Sequence, residues 1–164
     1  MLVSCGFHLR EPMPLAPSLY QLYLETNDPY GQLTRSLRTY LKMSGVHLVS
    51  SKDKAKTILE ILQEETSQQL LSVSGTQQTR QYNLVLTVTF QVSNAQNQVI
   101  VPPQTVRETT VLTMQSNQIL ASSNQTSLLY QNMRRNAAAD IMNRLSSQEI
   151  TALIAPHFQS TRSP

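Results

Sequence analysis

Between Tyr82 and Val92 every second residue is apolar: Tyr82, Leu84, Leu86, Val88, Phe90 and Val92. Asn83, Thr87, Thr89 and Gln91 stand between them. A period of two held over that length specifies a β-strand with one buried face and one wet face. The chain must therefore cover a sheet on one side only, and the rest of the sequence can be searched for neighbouring strands and for the cover.

Neighbouring strands lie on both sides. Leu19–Thr26 (LYQLYLET) puts Tyr20, Leu22 and Leu24 on one face, and Val46–Val49 is short and apolar. Ile58-Leu59-Glu60-Ile61-Leu62 opens a long strand region that runs to about Val73, with Ser74–Gln78 as the hairpin loop. Val99–Val101 and Val106–Met114 form a third long strand interrupted by Pro102-Pro103, a pair that marks an edge or a bulge.

Two amphipathic helices can supply the cover. In the first, about 30–44, Leu33, Leu37, Tyr40 and Leu41 recur at helical spacing, Asp28 and Pro29 suit its start, and Gly45 suits a left-handed stop. In the second, about 123–146, Leu129, Met133, Ala137, Ile141 and Leu145 recur every four residues behind an S-x-x-Q capping spacing at Ser122–Gln125. Ile150–Ile154 adds a short turn. The expected fold class is α+β: an antiparallel or mixed sheet of about four strands with two helices packed on one face. The expected organisation is a single domain over 19–155, a proline-spaced tether over 5–18 (Pro12, Pro14, Pro17) and a flexible tail over 156–164.

Catalytic constellations are missing. His8, His47 and His157 are scattered, and none sits beside an acid or nucleophile at a telling spacing. Glu64 and Glu65 are adjacent on a strand and so point to opposite faces. Only 4 glycines are present, there is no phosphate-binding loop, and no G-x-S-x-G elbow occurs. No Cys/His cluster implies a metal, and no cofactor motif is found. A net charge of +3, spread along the chain without interleaved aromatics, does not argue for nucleic acid. The chain reads as a non-enzyme. Its charged fraction of 14%, made up by Ser, Thr, Gln and Asn, is a composition more usual in envelope and secreted proteins than in cytosolic enzymes.

The lone cysteine bears on this. Leu2-Val3-Ser4-Cys5 has the form of a bacterial lipobox, in which a lipoprotein signal peptide is cut before a cysteine that then carries acyl chains. Read alone, these residues fit a lipobox and an incidental cysteine equally well. On the lipobox reading Met1–Ser4 is the remnant of a signal peptide, and Gly6 agrees with sorting to the outer membrane.

A family resemblance adds to this reading. Cys5-Gly6-Phe7-His8-Leu9-Arg10, then a strand, then Asp28-Pro29, Gly31, Leu33-Thr34-Arg35 and Gly45-Val46 are similar to the LPS-assembly lipoprotein LptE family, also called rare lipoprotein B. TRQYNLVLTVTFQV (79–92) resembles that family's central strand, and LLYQNMRRNAAADIMNRL its closing helix. The resemblance implies a protein anchored through Cys5 at the periplasmic face of the Gram-negative outer membrane. It implies a plug for the LPS-assembly β-barrel LptD that aids the barrel's assembly and binds lipopolysaccharide in transit. The alternative is a periplasmic lipoprotein or adaptor of the same fold that binds another envelope partner. The family's basic loop positions fall here near Gly75 and Ser122, neither of them basic; Arg80 and Arg107 are the nearest candidates for lipopolysaccharide, or else solvated strand residues.

On the lipobox reading, Cys5→Ala in a full-length precursor abolishes acylation and membrane attachment. Labelled palmitate still entering that variant would refute it.

Overall fold

A computed structural model describes residues 14–76, 78–115 and 119–159. Its elements in chain order are β1 (Gln21–Thr26), α1 (Gln32–Met43), β2 (His47–Leu48), β3 (Thr57–Val73), β4 (Thr79–Asn94), β5 (Val99–Gln115), α2 (Ile119–Leu145) and α3 (Gln148–Gln159), with 3-10 turns at Pro17–Tyr20 and Lys52–Lys54. One five-stranded sheet has the order β2-β1-β3-β4-β5. β1 runs parallel to β2 and to β3, whereas β3, β4 and β5 form an antiparallel meander. The α+β class expected from the sequence holds, with five strands rather than four and three helices rather than two.

The alternating strand takes the centre of the meander. Leu84, Leu86, Val88, Phe90 and Val92 are fully buried beneath the helices. Leu22, Leu24, Leu59 and Ile61 extend this face across β1 and β3, and Leu33, Leu37, Leu41, Met133, Ala137, Ile141 and Leu145 close over it from α1 and α2. The β1-α1-β2 unit places α1 across the parallel edge, where it packs beside α2.

Local signals explain where α1 stops. Gly45 adopts φ +80°, the Gly45 N–H donates to the Lys42 carbonyl (3.0 Å), and the Val46 N–H donates to that of Leu41 (2.9 Å). This is a Schellman stop, sealed by the buried pair Leu41 and Val46. The start differs from expectation. Asp28 does not cap the helix; Gly31 is the N-cap, and a Cβ there would lie 2.3 Å from the Asp28 carboxylate. Thr34 Oγ1 instead donates to the Asp28 carbonyl (2.7 Å), which pins the turn to the helix.

Two β-bulges reshape β3. Its register against β4 shifts between Ile61 and Gln63 and again between Leu70 and Ser72. Before the first shift Leu59 and Ile61 face the helices; after it Glu64, Thr66 and Gln68 take that side, opposite Val88, Leu86 and Leu84. β1 pairs with β3 only over Thr57–Ile61. The distal part of β3 therefore leaves the core, and every residue from Leu62 to Val73 is exposed. Pro102 and Pro103 fall where the β4–β5 register shifts, on a true edge strand, and β5 stays continuous through them.

The ends of the domain depart from expectation. Residues 14–18 are not wholly tether: Leu15 and Ala16 are buried in the core, and Thr57 Oγ1 donates to the Ser18 carbonyl (3.1 Å). Tyr20 belongs to a 3-10 turn started by Pro17 rather than to β1, and is partly exposed. α2 begins at Ile119, so Ser122 lies inside the helix. The expected turn and the first part of the expected tail are α3, which runs through Pro156 and packs Ile150, Ile154 and Phe158 on the core, while 160–164 lie outside the described residues.

Leu86→Ala should cost about 2–5 kcal/mol in urea denaturation, because Leu86 has no exposure and little room to relax. Leu86→Asp should leave no folded fraction, since it buries an unpaired charge. An unchanged melt for either would contradict the burial of that face.

Candidate functional surface

Among the described residues no helix lies on the opposite face of β3–β5, and several of its polar side chains bond one another. Gln91 Nε2 and Ser93 Oγ both donate to the Glu60 carboxylate (2.6 Å each), Gln63 Nε2 donates to Glu65 (2.6 Å), and the Thr89 and Thr105 hydroxyls pair at 3.3 Å. Thr87, Asn83 and Thr109 share this face by strand parity, with Val85 buried among them and Val111 exposed beside Asn83. The outcome is a broad, nearly neutral surface rich in hydroxyls and amides. Glu65 and Arg107 are the exposed charges at its centre.

Arg80 and Arg107 are not brought together. Arg80 pairs with Val73 and Met114 at the hairpin end, on the parity of Tyr82 and Leu84, which is the helix-facing side. Arg107 pairs with Thr87 on the open side. Seven strand positions of about 3.3 Å separate them along β4, roughly 23 Å. Both are exposed. They cannot grip one headgroup.

Gly75 sits in the hairpin turn, where an added Cβ would meet nothing within 4 Å, so its place in the fold does not require a glycine. α2 runs toward this same end: Arg134 Nε donates to Glu64 (2.5 Å), and one turn earlier the Tyr130 hydroxyl donates to the Ser67 carbonyl (2.9 Å). From Tyr130 the helix continues about 16 Å to Ile119, while β3 continues about 20 Å from Ser67 to Val73. Gly75 and Ser122 therefore belong to one end of the molecule, and Arg80 shares it. Cys5 lies outside the described residues.

Burial and neighbouring charge shift three of the described groups. Partial burial raises the Glu108 carboxyl above its ordinary value of 4.5, helped by the charge of Asp140 and a hydrogen bond with it, while Asn136 opposes the shift. Burial also raises the Tyr130 phenol, against the Arg134 charge. The Lys52 ammonium is raised chiefly by its bond to Glu25, 2.7 Å away. Sequence reasoning could not have found Glu108 and Asp140, because only the β4–β5 register and the seat of α2 bring them together. Among the described residues no group of three or more His, Cys, Asp or Glu could hold a metal, and no helix is long and apolar enough to cross a membrane.

The raised Glu108 sets a pH dependence. Its folded form holds a proton more tightly than its unfolded form, so folding is favoured below the ordinary carboxylate value. That stability is lost as pH rises through the folded value. Glu108→Gln should flatten this loss and raise the melting temperature at neutral pH. A parallel pH–stability curve for the variant would overturn the assignment.

Known proteins share this arrangement. The sequence model of the LptE family, described as Lipopolysaccharide-assembly, matches residues 19–145. The LPS-assembly lipoprotein LptE of Pectobacterium atrosepticum is 29% identical over 167 residues, covering 98% of this chain and 87% of that protein. Its namesake from Yersinia enterocolitica is 33% identical over 148 residues, covering 87% and 68%. Among solved structures, rare lipoprotein B from Shewanella oneidensis superposes with a TM-score of 0.68 at 26% identity over 80% of this chain and 98% of that one. A minor lipoprotein from Acinetobacter baumannii gives 0.64 at 27% identity over 78% and 91%. A sheet helical on one side and polar on the other thus comes with a sequence match across most of the chain, and the protein belongs to the LptE family of non-enzymatic lipopolysaccharide-assembly lipoproteins of the Gram-negative envelope.

Proposed function

We propose that this chain plugs the lumen of the LPS-assembly β-barrel LptD, aids that barrel's assembly and binds lipopolysaccharide on its way to the cell surface. On this reading acyl chains on Cys5 hold it at the periplasmic face of the outer membrane. The observation that carries the reading is the uncovered face of β3–β5. Large antiparallel sheets with one face on a core leave the other to water, and here that face is nearly neutral and dense in hydroxyls and amides. Such a surface suits the polar interior of a wide transmembrane barrel, where a charged face would lose solvation without a matching partner and an apolar face would aggregate beforehand.

For the lipopolysaccharide contact the reading favours Arg80. It stands at the hairpin end with Gly75 and Ser122, and its guanidinium can pair two phosphate oxygens. Arg107 is a separate contact on the barrel-facing side.

Co-expression with an LptD barrel should give a stable complex in detergent. A chain that never co-purifies with such a barrel would overturn the plug. Arg80→Glu should weaken lipopolysaccharide capture by about tenfold or more, the scale of one charge-assisted bond, while leaving the complex intact. Capture unaffected by that change would remove Arg80 from the site.

A further inference from the structure

The end of the domain opposite the hairpin carries a second surface. Between Arg35 and Lys56 the sequence holds six cations (Arg35, Arg38, Lys42, Lys52, Lys54, Lys56) and a single acid, Asp53. Lys52 is taken by Glu25 on β1. Three of the others, Lys42 in the last turn of α1 and Lys54 and Lys56 ahead of β3, lie at this same end of the domain. The Gln21 side-chain amide donates to the Lys54 carbonyl (2.6 Å), and the Lys56 N–H donates to the Gln21 carbonyl (2.9 Å), so Lys54 and Lys56 flank the start of β1 beside Tyr20. Tyr20 in turn lies against the α1 stop, its ring 3.7 Å from where a Gly45 Cβ would be, which brings in Lys42 and Met43. Lys42, Lys54 and Lys56 are all exposed.

Apolar surface accompanies the charge. Met43 is 77% exposed and Tyr20 38%. Both line an open groove of about 510 Å³ with Pro14, Leu15, Tyr40 and Met142. The chain enters the domain at this groove, and the stretch from Cys5 to Pro14 can span no more than about 30 Å.

We propose that this corner is a lipid-facing surface: Lys42, Lys54 and Lys56 meet anionic phospholipid headgroups while Tyr20 and Met43 enter the interface and an acyl chain occupies the groove. Charge complementarity favours anionic lipid, since each lysine near such a surface adds to the attraction and an exposed thioether and phenol suit the boundary between headgroup and chain. Position favours lipid over a protein partner, because a chain anchored at Cys5 cannot hold this corner far from the bilayer. The surface acts independently of the barrel and lipopolysaccharide contacts proposed above, and it is tested without the anchor.

The test uses the full chain with Cys5→Ser, sedimented with vesicles of phosphatidylcholine alone or mixed with phosphatidylglycerol. Binding should require phosphatidylglycerol and fall sharply over a roughly tenfold rise in salt, as exposed charges are screened. Lys42→Gln, Lys54→Gln and Lys56→Gln combined should weaken it by about a hundredfold. Met43→Ser with Tyr20→Ser should weaken binding to the mixed vesicles with an unchanged circular dichroism spectrum. Arg107→Gln, on the far face, should leave vesicle binding as it is, whatever it does to the barrel contact. No binding, equal binding to neutral vesicles, or equal losses from Arg107→Gln and the triple lysine variant would each overturn the proposal. So would a triple variant that keeps vesicle binding but no longer co-purifies with the barrel, which would give the corner to a protein partner. Co-purification of the barrel with the parent chain reads the plug separately, so the two ideas can fail independently.

Discussion

The molecule hangs on one row of side chains, the helix-facing stripe of β4. Leu84, Leu86, Val88, Phe90 and Val92 lose essentially all contact with water, at roughly 1.5–3 kcal/mol of transfer free energy apiece. No other strand contributes so long an unbroken stripe. β3 supplies core residues only over its first turns and then bulges out of register, and β5 alternates through Val106 and Leu112 with polar residues between them on the same side. α2 packs on β4 and β5, α1 packs beside α2, and α3 packs on β5. Because β4 lies between β3 and β5, the same residues also fix the pairing of the meander: a slip by one position would turn all five outward.

A sheet built this way has two unlike faces, and the division of labour follows from that. The helical side is spent on stability. The other side is free of that duty and can hold threonines, glutamines and asparagines that bond one another and water, which makes it available as a contact surface without making it sticky. On the proposed function, this is how the protein would take part in the assembly of lipopolysaccharide through a surface rather than a pocket.

Much of this was legible in the sequence because the informative residues act locally. The alternation from Tyr82 to Val92 needs no partner to be recognised, and Gly45 announces its own helix stop. What stayed hidden depends on partners far along the chain. The parallel pairing of β1 with β3 leaves no local mark, and a bulge at Leu62 cannot be seen without the strand opposite. Prolines misled twice for the same reason. Pro17 reads as tether but starts a 3-10 turn whose neighbours Leu15 and Ala16 are buried, and Pro156 reads as a terminus though Ile150, Ile154 and Phe158, four apart, hold α3 to the core. Of the two candidate arginines, the sequence offered both as equals; only strand parity separates them.

The length of β3 has one more consequence. Seventeen residues of extended chain measure roughly 55 Å, whereas a bilayer with its headgroups is about 40–45 Å thick. The lysine corner and the hairpin tip lie at opposite ends of that strand. On the proposed function, with the chain enclosed in a barrel and tied to one leaflet, such a rod would outreach the membrane, and its tip and its anchor would sample opposite surfaces at once. On the same reading strand length would work as a gauge, and the exposed stretch of β3 from Leu62 to Val73 is the part whose length could change with the least effect on the core.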